Sequence, residues 1–131
     1  MFISLGKLLV GLKIGIISKY LCINSYYSLK TLKLLYYIYK LGYIRGYSLL
    51  SYKKVKIYLK YVSSKSILRN VYLISKPSRK FYMSFRSLKG ATINNFVNVN
   101  GFLIISTNKG FSTDVEAMLM KKGGSPFIFV S

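Results

Sequence analysis

Histidine is absent from this chain of 131 residues, and only two carboxylates occur, Asp114 and Glu116. General acid–base catalysis draws on His, Asp or Glu, and metal sites draw on His, Cys and carboxylates. Neither chemistry has much material here. The two carboxylates are two positions apart, which on a helix turns them about 200° from one another, so they cannot form a dyad. Their expected role is to complement a helix dipole. A lone cysteine, Cys22, leaves no internal disulfide and excludes a disulfide-stapled secreted scaffold; a buried thiol is expected. The chain is therefore read as a non-enzyme with no cofactor and no metal. Negative charge is the scarcest quantity of all. Twenty-one Lys and Arg face those two acids, for a formal charge of +19. Self-repulsion on that scale calls for a polyanionic partner. Nucleic acid fits best, and an anionic membrane surface, bound by a basic peripheral protein, is the rival.

Long uninterrupted apolar runs are also missing, although 52% of the residues are hydrophobic. A spanning helix needs about 20 apolar residues with few charges. Residues 1–21 are broken by Lys7, Lys13 and Lys19, which lie about 120° apart on a helical wheel and collect on no single face. The longest uncharged run, Gly90–Asn108, holds Asn94, Asn95, Asn98, Asn100 and Asn108, all costly in hydrocarbon. No segment passes as a membrane span. The first residues are apolar rather than Arg- and Ser-rich and lack a small-residue cleavage site, so the chain is expected to work where it is made. Tryptophan is absent, and Lys outnumbers Arg seventeen to four. Ile, Tyr, Phe, Leu, Lys and Asn are residues of A/T-rich codons, which points to an A/T-biased organellar genome.

What is present reads as an α+β protein of two small lobes, residues 1–64 and 65–131. In the first, Ile3, Leu5, Leu8, Leu9, Leu12 and Ile16 recur at helical intervals over 2–17, with Gly6, Gly11 and Gly15 weakening the pattern. Tyr20–Tyr26 suggests a short strand. Ser28 is a candidate N-cap for a helix over Leu29–Leu41, closed by Gly42. Tyr43–Leu50 and Lys53–Val62 read as strands around a turn at Ser51 and Tyr52. In the strand Lys53–Val62, Val55, Ile57, Leu59 and Tyr61 alternate with Lys54, Lys56, Tyr58 and Lys60. The lysine-bearing face is either a solvated sheet face or a phosphate-contacting one. The outline is α-β-α-β-β. Ser63–Ser66 is a polar link. The second lobe is expected to be mostly β with one capped helix: strands over Arg69–Ser75 and Phe81–Phe85 around the basic turn Ser75–Lys80, then a loop over Leu88–Asn100.

Local signals agree best over Gly101–Gly124. Gly101–Ile105 is apolar on both faces, as in a strand buried on both sides. Thr113 and Glu116 make a Thr-x-x-Glu capping box for a helix over about Asp114–Lys122. Gly123 is expected to supply the left-handed stop, and Ser125–Ser131 to close as a strand. Between strand and helix lies the turn Ser106-Thr107-Asn108-Lys109-Gly110, which is either a plain polar turn or a close-range contact for phosphates, 2′-hydroxyls and base edges. It does not match GxxxxGK[ST], which disfavours a nucleotide pocket.

This stretch resembles the C-terminal signature of the bacterial-type small-subunit ribosomal protein S8 family: Ser-Thr-Ser-Lys-Gly, a Thr-capped helix, then Gly-Gly-Glu before a last strand. The matching residues are Gly101, Ser106, Thr107, Lys109, Gly110, Thr113, Ala117, Gly123 and Gly124. Ser75-Lys76-Pro77 with Lys80 and Tyr82 resembles a second family piece, Ser-Arg-Pro-Gly-x-Arg-x-Tyr, and Gly42-Tyr43-Ile44 fits the order of elements in the first lobe. The resemblance implies a structural constituent of an organellar small ribosomal subunit, mitochondrial ahead of plastid. It would bind the central domain of small-subunit ribosomal RNA directly, support assembly and translation, and touch neighbouring ribosomal proteins. It assigns RNA contact to Ser75, Lys76, Lys80, Tyr82, Ser106, Thr107, Asn108, Lys109, Gly110, Gly124 and Ser125; Tyr82 either stacks on RNA or packs internally. Asn108 departs from the family's second Ser, Ser125 from its Glu and Ser78 from its turn Gly.

Overall fold

A computed structural model describes residues 2–88 and 101–131. The loop expected over Leu88–Asn100 lies, from position 89 on, outside the described residues. Two compact units divide the chain, Met1–Val71 and Tyr72–Ser131.

In the first unit the order is α1 (Phe2–Ile17), β1 (Cys22–Tyr26), α2 (Leu29–Lys40), β2 (Ile44–Ser51) and β3 (Lys54–Leu59). The strands form an antiparallel sheet of order β1-β3-β2. The Ser28 side chain accepts the Thr31 N–H, and the Thr31 hydroxyl accepts the Ser28 N–H at 2.6 Å, so the cap of α2 is reciprocal. At its other end Gly42, at φ +82°, donates to the Tyr39 carbonyl while Tyr43 donates to that of Ile38. This is the double closure a left-handed glycine permits. Val55, Ile57 and Leu59 are buried, as are Leu5, Leu8 and Leu12 of α1 and Leu34, Leu35 and Ile38 of α2. The apolar face of β3 is therefore as the alternation predicts. Tyr61 does not extend it: Tyr61–Val62 (β4) turns back on Lys65–Ser66 (β5). Ser63 and Ser64 hold φ of +50° and +62° between them. The expected polar link is thus a tight hairpin of the kind two left-handed residues make.

The second unit carries a four-stranded antiparallel sheet of order β6-β9-β7-β8, built from β6 (Val71–Leu73), β7 (Phe102–Thr107), β8 (Gly110–Thr113) and β9 (Ser125–Val130), with α3 (Asp114–Leu119) between β8 and β9. Leu103, Ile105, Phe129, Leu88 and Ala117 form its core cluster, with Ile74 and Met118 at the edge. Leu103, Ile104 and Ile105 are all buried, so β7 is covered on both faces as its composition requires. The capping box is present: Thr113 Oγ1 accepts the Glu116 N–H, and Glu116 Oε2 accepts the Thr113 N–H.

Three expectations need correction. No strand spans Phe81–Phe85: only Met83 pairs, with Gly124, and a helical turn starts at residue 85. The helix stops at Leu119 rather than Lys122. Its left-handed stop is Lys121, at φ +52°, with Lys121 and Lys122 donating to the Met118 and Ala117 carbonyls. Gly123 has another task, described below. No helix of the described residues is long and apolar enough to cross a membrane.

The glycines of α1 give opposite expectations for one substitution. A Cβ on Gly6 would meet nothing within 4 Å, whereas one on Gly15 would lie 2.6 Å from Ile23 Cδ1 and 3.2 Å from Leu59 Cδ1. Gly6→Ala is expected to stabilise the chain by about 0.5–1 kcal/mol through helix propensity. Gly15→Ala is expected to destabilise it by about 1 kcal/mol, because overpacking outweighs that gain. Urea midpoints of the two variants check the pair, and a shift in the same direction for both would refute the close α1–β1 approach.

Candidate nucleic-acid interface

The turn expected between strand and helix is the tip of a β-hairpin. Ser106 and Thr107 belong to β7 and pair with Phe111 and Gly110. Only Asn108 and Lys109 form the connection. Gly110 takes φ +113° at the exit, where side chains other than glycine are strained. Thr107 Oγ1 donates to the Gly110 carbonyl at 2.9 Å and accepts the Lys109 N–H at 3.3 Å. Its hydroxyl thus fixes the tip and leaves Asn108 and Lys109 exposed above it.

Beside this tip run the two glycines ahead of β9. Gly124 exchanges both backbone hydrogen bonds with Met83, at 2.9 and 3.0 Å. A Cβ on Gly124 would sit 2.5 Å from the Ser106 carbonyl oxygen, and one on Gly123 would sit 2.6 Å from that of Met83. Gly123 and Gly124 are therefore required by backbone approach from two sides. That approach gathers Tyr82, Ser106, Thr107, Asn108, Lys122, Gly123 and Gly124 around one shallow depression of about 310 Å³. Tyr82 is 74% exposed at its rim.

Of the residues singled out in the sequence, Tyr82, Ser106, Thr107, Asn108 and Gly124 converge here, with Lys109 and Gly110 on the adjoining tip. Ser75 and Ser125 converge on each other: their hydroxyls lie 2.9 Å apart, and Ser75, 4% exposed, also accepts the Phe81 N–H. Lys76 lines a separate depression with Ile74, Arg79 and Phe81. Lys80 is exposed and lines neither of the two depressions described. Sequence reasoning missed Lys122, treating it as a helix end; its place directly before the Gly-Gly pair was the available signal.

The electrostatics are one-sided. Lys122 has its pKa lowered, first by lost hydration and then by the charge and side chain of Lys109, so two cations crowd the depression. Both carboxylates have structural tasks. Asp114 is 6% exposed, its pKa raised by burial against the opposing pull of backbone N–H groups, and Glu116 serves the cap. A site with two converging ammonium groups, an amide, a serine hydroxyl and an exposed phenol suits a phosphodiester and its attached sugar. Among the described residues no cluster of His, Cys, Asp or Glu could hold a metal.

Lys109→Gln is expected to raise the Lys122 pKa towards, but not to, its ordinary value, since the hydration loss persists; lysine side-chain NMR titration reads this. The depressed folded pKa means that stability rises with pH across the alkaline window between folded and unfolded values, and Lys109→Gln flattens that rise. A Lys122 titration that ignores position 109 would separate the two side chains. Gly124→Ala is expected to destabilise the chain by about 2 kcal/mol, because the obstacle is a backbone carbonyl, as read from urea unfolding. A neutral effect would show that β7 and the Gly-Gly segment can part freely.

A family model described as Ribosomal protein S8 matches residues 5–130. The chain is 33% identical over 127 residues to small ribosomal subunit protein uS8m of Acanthamoeba castellanii, covering 97% of this chain and 98% of that one. It is 41% identical over 90 residues to uS8 of Syntrophus aciditrophicus, 65% of this chain and 64% of that one. With uS8c of Bigelowiella natans it shares 31% identity over 129 residues, 92% of each. The family model runs through both units and includes every residue of the depression, and by these matches the chain belongs to the ribosomal protein S8 family, structural rather than catalytic proteins of the small ribosomal subunit.

Proposed function

We propose that this chain binds small-subunit ribosomal RNA directly, in its central domain, through the lobe formed by residues 65–131, and so supports subunit assembly and translation in a mitochondrion. The observation that carries the reading is the convergence of Lys109 and Lys122 on a depression lined by Tyr82, Ser106 and Asn108, with both carboxylates held in the scaffold. Lys109 and Lys122 neutralise phosphates, while Asn108 and Ser106 reach 2′-hydroxyls or base edges. Thr107 and Gly110 shape the tip, and the Ser75–Ser125 pair fixes the start of β9 beneath it. Neighbouring ribosomal proteins complete the setting. For the compartment, the A/T-biased composition and the near full-length match to a protein named uS8m support a mitochondrion; the relative named uS8c represents the plastid alternative.

Lys109→Ala is expected to weaken binding to the central-domain RNA fragment and to reduce the slope of log affinity against log salt by roughly one phosphate equivalent. Filter binding across a salt series measures both. An unchanged slope would remove Lys109 from the interface. The full chain is also expected to co-sediment with the small subunit in an RNase-sensitive way; RNase-resistant pelleting with membranes would overturn the reading.

A further inference from the structure

The depression around Lys76 is built differently from the Gly-Gly site. Its floor and wall are apolar: Ile74, which also packs against the core cluster, and Phe81, 47% exposed. Its mouth carries two cations, Lys76 and Arg79, on a tight turn in which each backbone N–H donates to the other residue's carbonyl at 3.1 Å. Pro77 and Ser78 make the connection. Pro77 pre-sets the bend, and Ser78 avoids a positive φ. The turn is anchored from below, where the buried Ser75 hydroxyl accepts the Phe81 N–H at 3.4 Å and contacts Ser125. The backbone at Phe81 is thus tied to the base of the turn, and its ring is left partly open to water. The volume, about 300 Å³, accommodates one planar ring system.

A phosphate alone would need donors, not an isoleucine and a phenylalanine. A stacked duplex has its base faces covered and offers nothing to an aromatic wall. An unpaired base offers both a π-face and, one bond away, the phosphates that cations at the mouth require. We propose that this depression receives one unstacked nucleotide base, stacked on Phe81, with Lys76 and Arg79 holding its flanking phosphates. The proposal rests on the RNA-binding reading above and adds to it a reader of unpaired structure. The hairpin tip and the Gly-Gly site approach phosphates, 2′-hydroxyls and base edges from the groove; the Phe81 site distinguishes an RNA with an extruded base from a continuous helix.

The test uses the full chain and the central-domain fragment of small-subunit RNA, with 2-aminopurine placed at its unpaired adenines one at a time. For at least one position, binding is expected to quench the fluorescence. Phe81→Leu is expected to abolish that quench and to weaken affinity roughly tenfold, while Phe81→Tyr retains both. A fully paired control helix is expected to bind Phe81→Leu and the parent chain equally. Unchanged urea midpoints for both variants establish that the fold is intact, as expected for a half-open position. RNA binding that survives with an unchanged quench in Phe81→Leu would overturn this proposal and leave the RNA-binding reading standing. Equal loss on paired and unpaired RNA would also overturn it. If Phe81→Leu binds RNA normally but fails to enter the small subunit, the depression holds a protein neighbour instead. Absence of any RNA binding by the parent chain would remove both readings together.

Discussion

The close approach of backbone to backbone at Gly123 and Gly124 is the constraint on which the second unit depends. One side of this segment lies against Met83–Phe85 and the other against Ser106, at separations that leave no room for a Cβ. From it follow the register of β9 against β7, the position of Tyr82, and the convergence of Lys122 with the hairpin tip. The Met83–Gly124 bridge is a single pair of hydrogen bonds. It nonetheless ties a segment with no strand of its own to the centre of the sheet. Packing density does the rest: Leu103, Ile105 and Phe129 fill the space beneath with Leu88 and Ala117.

The distribution of charge complements that geometry. A chain of +19 with two acids could offset some cations by pairing at the surface. Here Asp114 is buried at the first turn of α3 and Glu116 closes the capping box. Both carboxylates thus stabilise a six-residue helix that is too short to stand alone. At the hairpin tip, Lys109 is left exposed to solvent.

Legibility in the sequence followed the range of the interaction. Ser28, Gly42 and the Thr113–Glu116 box act within one helical turn and were readable as written. The alternation of Val55, Ile57 and Leu59 and the doubly apolar β7 were readable because burial imposes a period. The Ser106–Gly110 segment reads from sequence as a turn and not as a hairpin tip, because β8 is four residues long and its Gly-Phe-Ser-Thr composition carries little strand signal. Phe81–Phe85 has the apolar spacing of a strand, yet among the described residues its one strand-like pairing is that of Met83 with Gly124. Lys122 joined the site through the Schellman-type closure at Lys121, and nothing in a lysine's identity announces a left-handed conformation.

That left-handed conformation recurs. Lys19, Lys53, Ser63, Ser64 and Lys121 all hold φ between +50° and +62°, places where glycine is the usual occupant. Each costs on the order of 1 kcal/mol, a large share of the margin by which a small domain stays folded. Three of the five are lysines, so the same substitution that weakens the isolated chain strengthens its attraction to a polyanion. Anything that binds only the folded form restores the lost margin by mass action. The stability of such a chain is then set as much by what it is bound to as by its own contacts.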